Sequence, residues 1–108
     1  MPMPQISPTD VKRRLDAGGE ELVLLDVRRP DELTLARIPG AVHVPMDEIP
    51  KSLDQLDRGA DYVVFCHHGI RSALVCNFLR ARGFPRVTNL RGGIEAWHTE
   101  VDPSIGRY

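Results

Sequence analysis

Tyr62-Val63-Val64-Phe65-Cys66 is an unbroken apolar run that opens directly into His67-His68-Gly69, and a helical pattern starts at once with Ile70-Arg71-Ser72. A short run without polar alternation reads as a strand buried on both faces, the signature of a parallel sheet covered by helices. The run also sets the Cys66 thiol where a buried strand stops and a helix N-terminus begins. Backbone N–H groups are unpaired there and the helix dipole is positive. A thiolate is stabilised in such a place, and Arg71, His67 and His68 can add positive charge around it. Cysteines in sites of this kind are usually nucleophiles rather than structural residues.

The rest of the chain repeats the alternation. Ser7 reads as the N-cap of a first helix, with Pro8 at its first position, Val11 and Leu15 facing inward and Gly18-Gly19 as its stop. Leu22 to Leu25 reads as a short buried strand ending at Asp26. Pro30 starts a short helix carrying Leu33 and Leu35, and Ile38-Pro39-Gly40 turns into a strand around Val42 to Val44. Asp47 to Leu56 reads as a short helical region, and Gly59 and Asp61 bound the strand Tyr62 to Phe65. From Arg71, the residues Leu74, Val75, Phe78 and Leu79 recur at helical spacing until Gly83 and Pro85. Val87 to Leu90 is a last strand, and Gly92-Gly93 opens a closing helix that contains Trp97. Short strands alternating with helical patterns predict an α/β fold with helices on both faces of the sheet. With no internal repeat and no shift of composition, residues 1–108 read as one domain. Ligands of such sheets sit beyond the carboxyl ends of the strands, where Asp26 and Cys66 both stand.

Composition narrows the function classes. Basic and acidic residues number 14 and 15, for a net charge of -1, so no nucleic acid or membrane partner is expected. No apolar run approaches the ~20 residues that span a bilayer. Met1-Pro2-Met3-Pro4-Gln5 lacks the charged and apolar regions of an export signal. Cys66 and Cys76 do not make a disulfide framework. If Cys76 lies on the helix after the loop, the two thiols stand roughly 10 Å or more apart, too far for a bridge. Both read as free thiols in a reducing compartment, and the expected location is cytoplasmic.

Four residues separate Cys66 from Arg71. So short a loop, with Gly69 inside it, can curl until several N–H groups point at one centre. It becomes an anion cradle for a thiolate, or for a sulfur bonded to that thiolate. Removing one well-placed donor from such a cradle typically costs ~3 kcal/mol of transition-state stabilisation.

Over nearly the whole chain these residues resemble the rhodanese (sulfurtransferase) family. Its active loop, a cysteine, four residues, then often arginine and a hydroxyl residue, is matched by Cys66-His67-His68-Gly69-Ile70-Arg71-Ser72. Its aspartate-valine-arginine signature is matched by Asp26-Val27-Arg28. An acidic residue followed by a turn is matched by Glu32 through Arg37-Ile38-Pro39-Gly40-Ala41. The late glycine-glycine-tryptophan pattern is matched by Gly92-Gly93 and Trp97. The resemblance implies a single rhodanese-like domain with a central, mostly parallel, five-stranded sheet. It also implies a ping-pong reaction without a cofactor. Cys66 takes a sulfane sulfur from a small anionic donor such as thiosulfate and becomes a persulfide. The outer sulfur then passes to an acceptor: cyanide, a thiol or a sulfur-carrier protein. The active-site loop His67, His68, Gly69, Ile70, Arg71 and Ser72 would stabilise the persulfide and orient the donor. Two positions depart from the pattern. His67 stands where arginine or lysine is common, which leaves less fixed positive charge and invites a pH dependence. Arg37 stands where histidine is common, a change that touches packing or the rim. The ending from Trp97 through Val101-Asp102-Pro103 to Tyr108 is similar to rhodanese domains that close sulfur-carrier-activating enzymes.

Plainer readings stand beside these. Arg71 binds the donor, pairs with a nearby carboxylate, or does both. His67 and His68 line the pocket or are solvated. With Cys66 they are adjacent ligands that rarely close a tetrahedral site, so no metal is expected. Asp26 and Arg28 read as a structural ion pair, with Asp26 as a general base the minor alternative. Cys76 reads as a packed helix residue, Trp97 as core or lid, and Arg80, Arg82 and Arg86 as a solvated face. His43 and His98 carry no functional signal. Two other functions remain open: a sulfur-relay or interaction module with little small-molecule turnover, and a phosphatase or arsenate reductase of the same fold. The latter proteins place five residues between cysteine and arginine, widening the ring for a tetrahedral oxyanion.

Overall fold

The computed structural model describes residues 4–18 and 21–108. Met1–Met3, part of the stretch read above for an export signal, and Gly19, the second glycine of the expected helix stop, lie outside the described residues. Buried backbone groups need partners, and the apolar runs supply them to one another. The strands are β1 (Gln5–Ile6), β2 (Leu22–Asp26), β3 (Val42–His43), β4 (Asp61–Phe65) and β5 (Val87–Leu90). They form one sheet in the order β1-β5-β4-β2-β3, and every pairing is parallel. The residue pattern marked four of these strands. β1 escaped it because two residues carry no periodicity; pairing with β5 makes it a strand, Asn89 N–H donating to Pro4 O and Arg91 N–H to Ile6 O.

The helices are α1 (Pro8–Ala17), α2 (Ile49–Ser52), α3 (Ile70–Ala81) and α4 (Gly93–Glu100), with single 3-10 turns at Pro30–Thr34, Met46–Glu48, Leu53–Gln55 and Pro103–Ile105. The Ser7 side chain caps α1 by accepting from Asp10 N–H, and Gly18 closes that helix. Alternate strand residues face opposite sides of the sheet. Leu25, Tyr62, Val64 and Val87 pack with Ile49 of α2 and Val75, Cys76 and Leu79 of α3. Leu24, Val63, Phe65 and Leu90 pack with Val11 of α1 and Ile94 and Trp97 of α4. The result is a single compact α/β domain, both sheet faces covered. Among the described residues no helix is long and apolar enough to cross a membrane.

Two details differ from the sequence pattern. Leu15 does not face inward but stands 36% exposed, at the edge of a groove lined by Leu24, Ile38, Pro39 and Trp97. Val11, one turn earlier, already closes the layer. On α3 the buried stripe is Ser72, Val75, Cys76 and Leu79, an i, i+3, i+4, i+7 set. Leu74 falls outside it and is 56% exposed.

Two packing constraints position the carboxyl end of the sheet. The first is the Arg28 guanidinium, which is fully buried and would cost several kcal/mol if left unpaired. Its Nε and Nη2 donate to the Asp26 carboxylate at 3.0 and 2.8 Å. Nη2 also reaches Ala36 O at 2.8 Å, and Nη1 reaches Glu32 O at 3.2 Å and the Tyr108 hydroxyl at 3.0 Å. Meeting these needs wraps the turn after β2 and the C-terminal segment around one cation. The second constraint is Gly93. The N-terminus of α4 lies on the loop after β4, with Ile94 N–H donating to Cys66 O at 2.9 Å and Glu95 N–H to His67 O at 3.2 Å. A Cβ on Gly93 would overlap the His67 carbonyl oxygen and come within 2.6 Å of the Cys66 carbonyl oxygen, and its φ is +62°.

Arg28→Met strands the Asp26 carboxylate in the interior and should cost about 3–5 kcal/mol, read as a lower urea midpoint with an unchanged slope. Gly93→Ala adds a left-handed backbone penalty to an overlap with the loop and should cost about 2–5 kcal/mol, read as a fall in melting temperature. A wild-type melting curve for either variant would contradict the packing described.

Candidate active site

Cys66 follows the last residue of β4, whose partner across the sheet is Asp26 of β2. The chain then turns through Gly69, whose φ of 109° is left-handed and whose N–H thereby faces back toward the sulfur. Cys66 Sγ accepts from Gly69 N–H at 3.1 Å and from Ser72 N–H, in the first turn of α3, at 3.4 Å. The Ser72 hydroxyl stands 3.3 Å away. Asn89 of β5 clamps the loop, accepting from Ser72 Oγ at 2.6 Å and donating to Gly69 O at 3.1 Å. Ser72 has one hydroxyl proton and two acceptors near it. The Ser72 hydroxyl donates to Asn89 Oδ1, and its contact with Sγ can run in either direction.

Cys66 is only 2% exposed, and burial pushes its thiol up. The Ser72 hydroxyl, the Ser72 and Gly69 N–H groups and the Arg71 charge push it down and prevail, so the thiol lies below its ordinary value. Cys76 is as buried but has no such donors, and burial pushes it up to about 12. Both cysteines are free.

Arg71 forks onto the Glu32 carboxylate, Nη1 to Oε1 at 2.6 Å and Nη2 to Oε2 at 2.9 Å. Glu32 is nearly fully buried and also accepts from the Tyr108 hydroxyl at 2.6 Å and from Arg29 N–H at 3.0 Å. The Arg71 fork, outweighing burial, holds the Glu32 carboxyl well below the usual carboxylate range, and Glu32 in turn raises Arg71. The Arg71 side chain is 31% exposed and borders a depression of about 650 Å³ lined by Val27, Pro30, Pro45 and Met46 together with Arg29 and the acidic residues Asp31, Asp47 and Glu48. Both Asp26 oxygens are engaged by Arg28.

The two histidines form a stack with Tyr108. The His67 ring lies 3.9 Å from Tyr108 at 11° and 4.0 Å from His68 at 24°. Burial, then the neighbouring His68, pushes His67 below its ordinary value, which weakens it as a source of positive charge beside the thiol. Its Nε2 is buried without a hydrogen-bond partner. Ligand atoms of His67, His68 and Glu95 lie within 4.8 Å of one another. Glu95 is paired with Arg107 at 2.7 Å.

Of the loop residues, Gly69 and Ser72 touch the sulfur, while Ile70 is 76% exposed. Trp97 packs in the core. His43 bonds Arg28 O and His98 bonds Gly106 O. Arg80 reaches Val87 O, Arg82 lies over Phe78 and Arg86 reaches Gly59 O, so the arginine group is tied to the domain's own surface. Arg37 is exposed on the rim, its N–H donating to Ile105 O. Asn89, Gly93 and Tyr108 went unnoticed as site residues in the sequence. Asn89 left a trace, a polar residue inside an apolar strand. Tyr108 left none, since 76 residues separate it from Glu32.

Comparison with known proteins agrees with this geometry. Residues 7–100 match the family described as rhodanese-like domain. The chain is 41% identical over 103 residues to the "Putative sulfurtransferase YtwF" of Bacillus subtilis, covering 95% of this chain and 98% of that one. It is 39% identical over 93 residues to a "Sulfurtransferase" of Allochromatium vinosum, covering 86% of each. The crystal structure of a rhodanese-related protein from Thermoplasma volcanium superposes with a TM-score of 0.81 at 32% identity, over 91% of this chain and 93% of that one. Homology over that span, on a parallel sheet whose loop cysteine faces a helix N-terminus, supports rhodanese-type sulfur transfer in general and leaves no doubt of kinship: this chain belongs to the rhodanese-like domain family.

Proposed function

We propose that the chain is a thiosulfate-type sulfurtransferase acting through Cys66, as one domain and without a cofactor. The observation that carries this reading is the Cys66 sulfur held by the Gly69 and Ser72 N–H groups at the start of α3, with its thiol below the ordinary value. The Cys66 thiolate attacks the outer sulfur of thiosulfate. A new S–S bond forms, the old one breaks, and sulfite leaves with the electron pair. The persulfide's negative charge stays within reach of the loop donors. A nucleophilic acceptor, cyanide or a thiol on a small molecule or a carrier protein, then takes the outer sulfur and Cys66 leaves as the thiolate.

Arg71 orients the anionic donor from the depression it borders, while Glu32 holds its guanidinium in place. Gly69, Ile70 and Ser72 shape the loop, His67 and His68 form its outer wall, and the Asp26–Arg28 pair steadies the strand ends beneath it. Two unbridged thiols suit a reducing compartment such as the cytoplasm.

Incubation with thiosulfate should add one sulfur mass to the intact protein. Cys66→Ser should abolish the addition and Cys76→Ser should leave it; a persulfide on Cys76 would overturn the assignment. Arg71→Lys keeps the charge but loses the fork, and should raise the thiosulfate KM by about tenfold, the worth of one charge-assisted bond. A KM equal to wild type would remove Arg71 from the donor site. Because the Cys66 pKa is lowered, its reaction with iodoacetamide should rise with pH and level off below the ordinary thiol value. Cys76 should stay unreactive across that range, and the reverse order would contradict the two environments.

A further inference from the structure

Tyr108 belongs to neither the loop nor the sheet, yet it closes the polar cluster beside the loop. The segment leading to it is pinned at successive points. Val101 and Asp102 N–H groups donate to Trp97 O, and the Asp102 carboxylate accepts from Ser104 N–H at 3.0 Å. Ile105 O accepts from Arg37 N–H, Gly106 O bonds His98 Nδ1 at 2.8 Å, and Arg107 pairs with Glu95. The strap delivers a phenol whose bonds have only one polarity. Arg28 Nη1 is a pure donor, so the Tyr108 oxygen accepts from it at 3.0 Å. The phenol proton must then go to Glu32 Oε2, 2.6 Å away. On its face the same ring supports His67, the residue after the nucleophile.

A residue that merely filled space here would need no hydroxyl, and burying one unused is costly. This hydroxyl instead completes the acceptor shell of the carboxylate that holds Arg71. With Tyr108 and Arg29 N–H fixing its oxygens, Glu32 presents one orientation to the guanidinium fork.

We propose that Tyr108 is a positioning residue for the anionic donor: through Glu32 it fixes the Arg71 guanidinium at the mouth of the loop, and through its ring it braces His67. The proposal rests on the sulfurtransferase reading for the identity of the anion, while the placement of Arg71 stands on geometry alone.

Tyr108→Phe keeps the ring and removes only the hydroxyl; Arg28 loses one acceptor but keeps the Asp26 carboxylate and the Glu32 and Ala36 carbonyls, and a melting curve checks that the variant is folded. With thiosulfate as donor and cyanide as acceptor, the variant should raise the thiosulfate KM by about threefold to tenfold, the value of one buried hydrogen bond, and leave kcat within about twofold. A purely structural role predicts fewer active molecules, a lower kcat at unchanged KM, and that result overturns the proposal. A second measurement needs no sulfur transfer. Cys66 is alkylated with anionic iodoacetate and with neutral iodoacetamide, and the ratio of the two rates reads the charge placed at the loop. Tyr108→Phe should lower that ratio about threefold or more; an unchanged ratio overturns the proposal. If the wild-type protein takes up no sulfur while the ratio still falls in Tyr108→Phe, the positioning role stands and the sulfurtransferase reading falls.

Discussion

A guanidinium with no access to solvent dictates the architecture at the carboxyl end of the sheet. Arg28 must meet every N–H it carries, and strand backbone alone cannot do so, because sheet carbonyls are spent on neighbouring strands. The acceptors come from the Asp26 side chain, the carbonyls of Glu32 and Ala36, and the Tyr108 hydroxyl. The turn after β2 and the C-terminal residue Tyr108, 80 positions away in sequence, are thereby drawn together at the end of β2. Ion pairs of this kind add little net stability, since desolvation offsets attraction. What the cluster supplies is a single arrangement, because any other leaves a charge unpaired in the interior.

The same economy of donors governs the sulfur. Burial alone would keep Cys66 protonated, as it does Cys76, which is pushed up to about 12. The difference between the two thiols is a set of short, directed contacts from Gly69 and Ser72. A left-handed glycine, a helix N-terminus and a clamping Asn89 create those contacts. Gly93 lets α4 settle on the loop's carbonyls from the other side. The loop is thus held on both flanks, and its two backbone donors, the Gly69 and Ser72 N–H groups, need no reorganisation when charge develops on sulfur.

Much of this was legible beforehand, for local reasons. The apolar runs marked four strands, and the spacing of α1, α3 and α4 follows from their caps and glycines. Expectations failed where packing, not pattern, decides. Leu15 and Leu74 sit at helical spacing yet are 36% and 56% exposed, because the layers beneath them are already closed. The turn after Pro30 buries the acidic Glu32 and leaves Leu35 53% exposed, an inversion of hydropathy that only the needs of Arg28 and Arg71 explain. His67 looked like a source of positive charge, but burial and the neighbouring His68 push it below its ordinary value.

By itself, the sequence determined the alternation of strands and helices, the parallel sheet and the position of Cys66 at a strand end before a helix, because short-range periodicity and capping chemistry are local. Only the tertiary structure decided which groups surround that sulfur and its arginine. Asn89, Glu32 and Tyr108 reach the site through hydrogen bonds between residues 17 to 76 positions apart, and Gly93 through contact with the Cys66–His67 loop; no local rule specifies a contact across such distances.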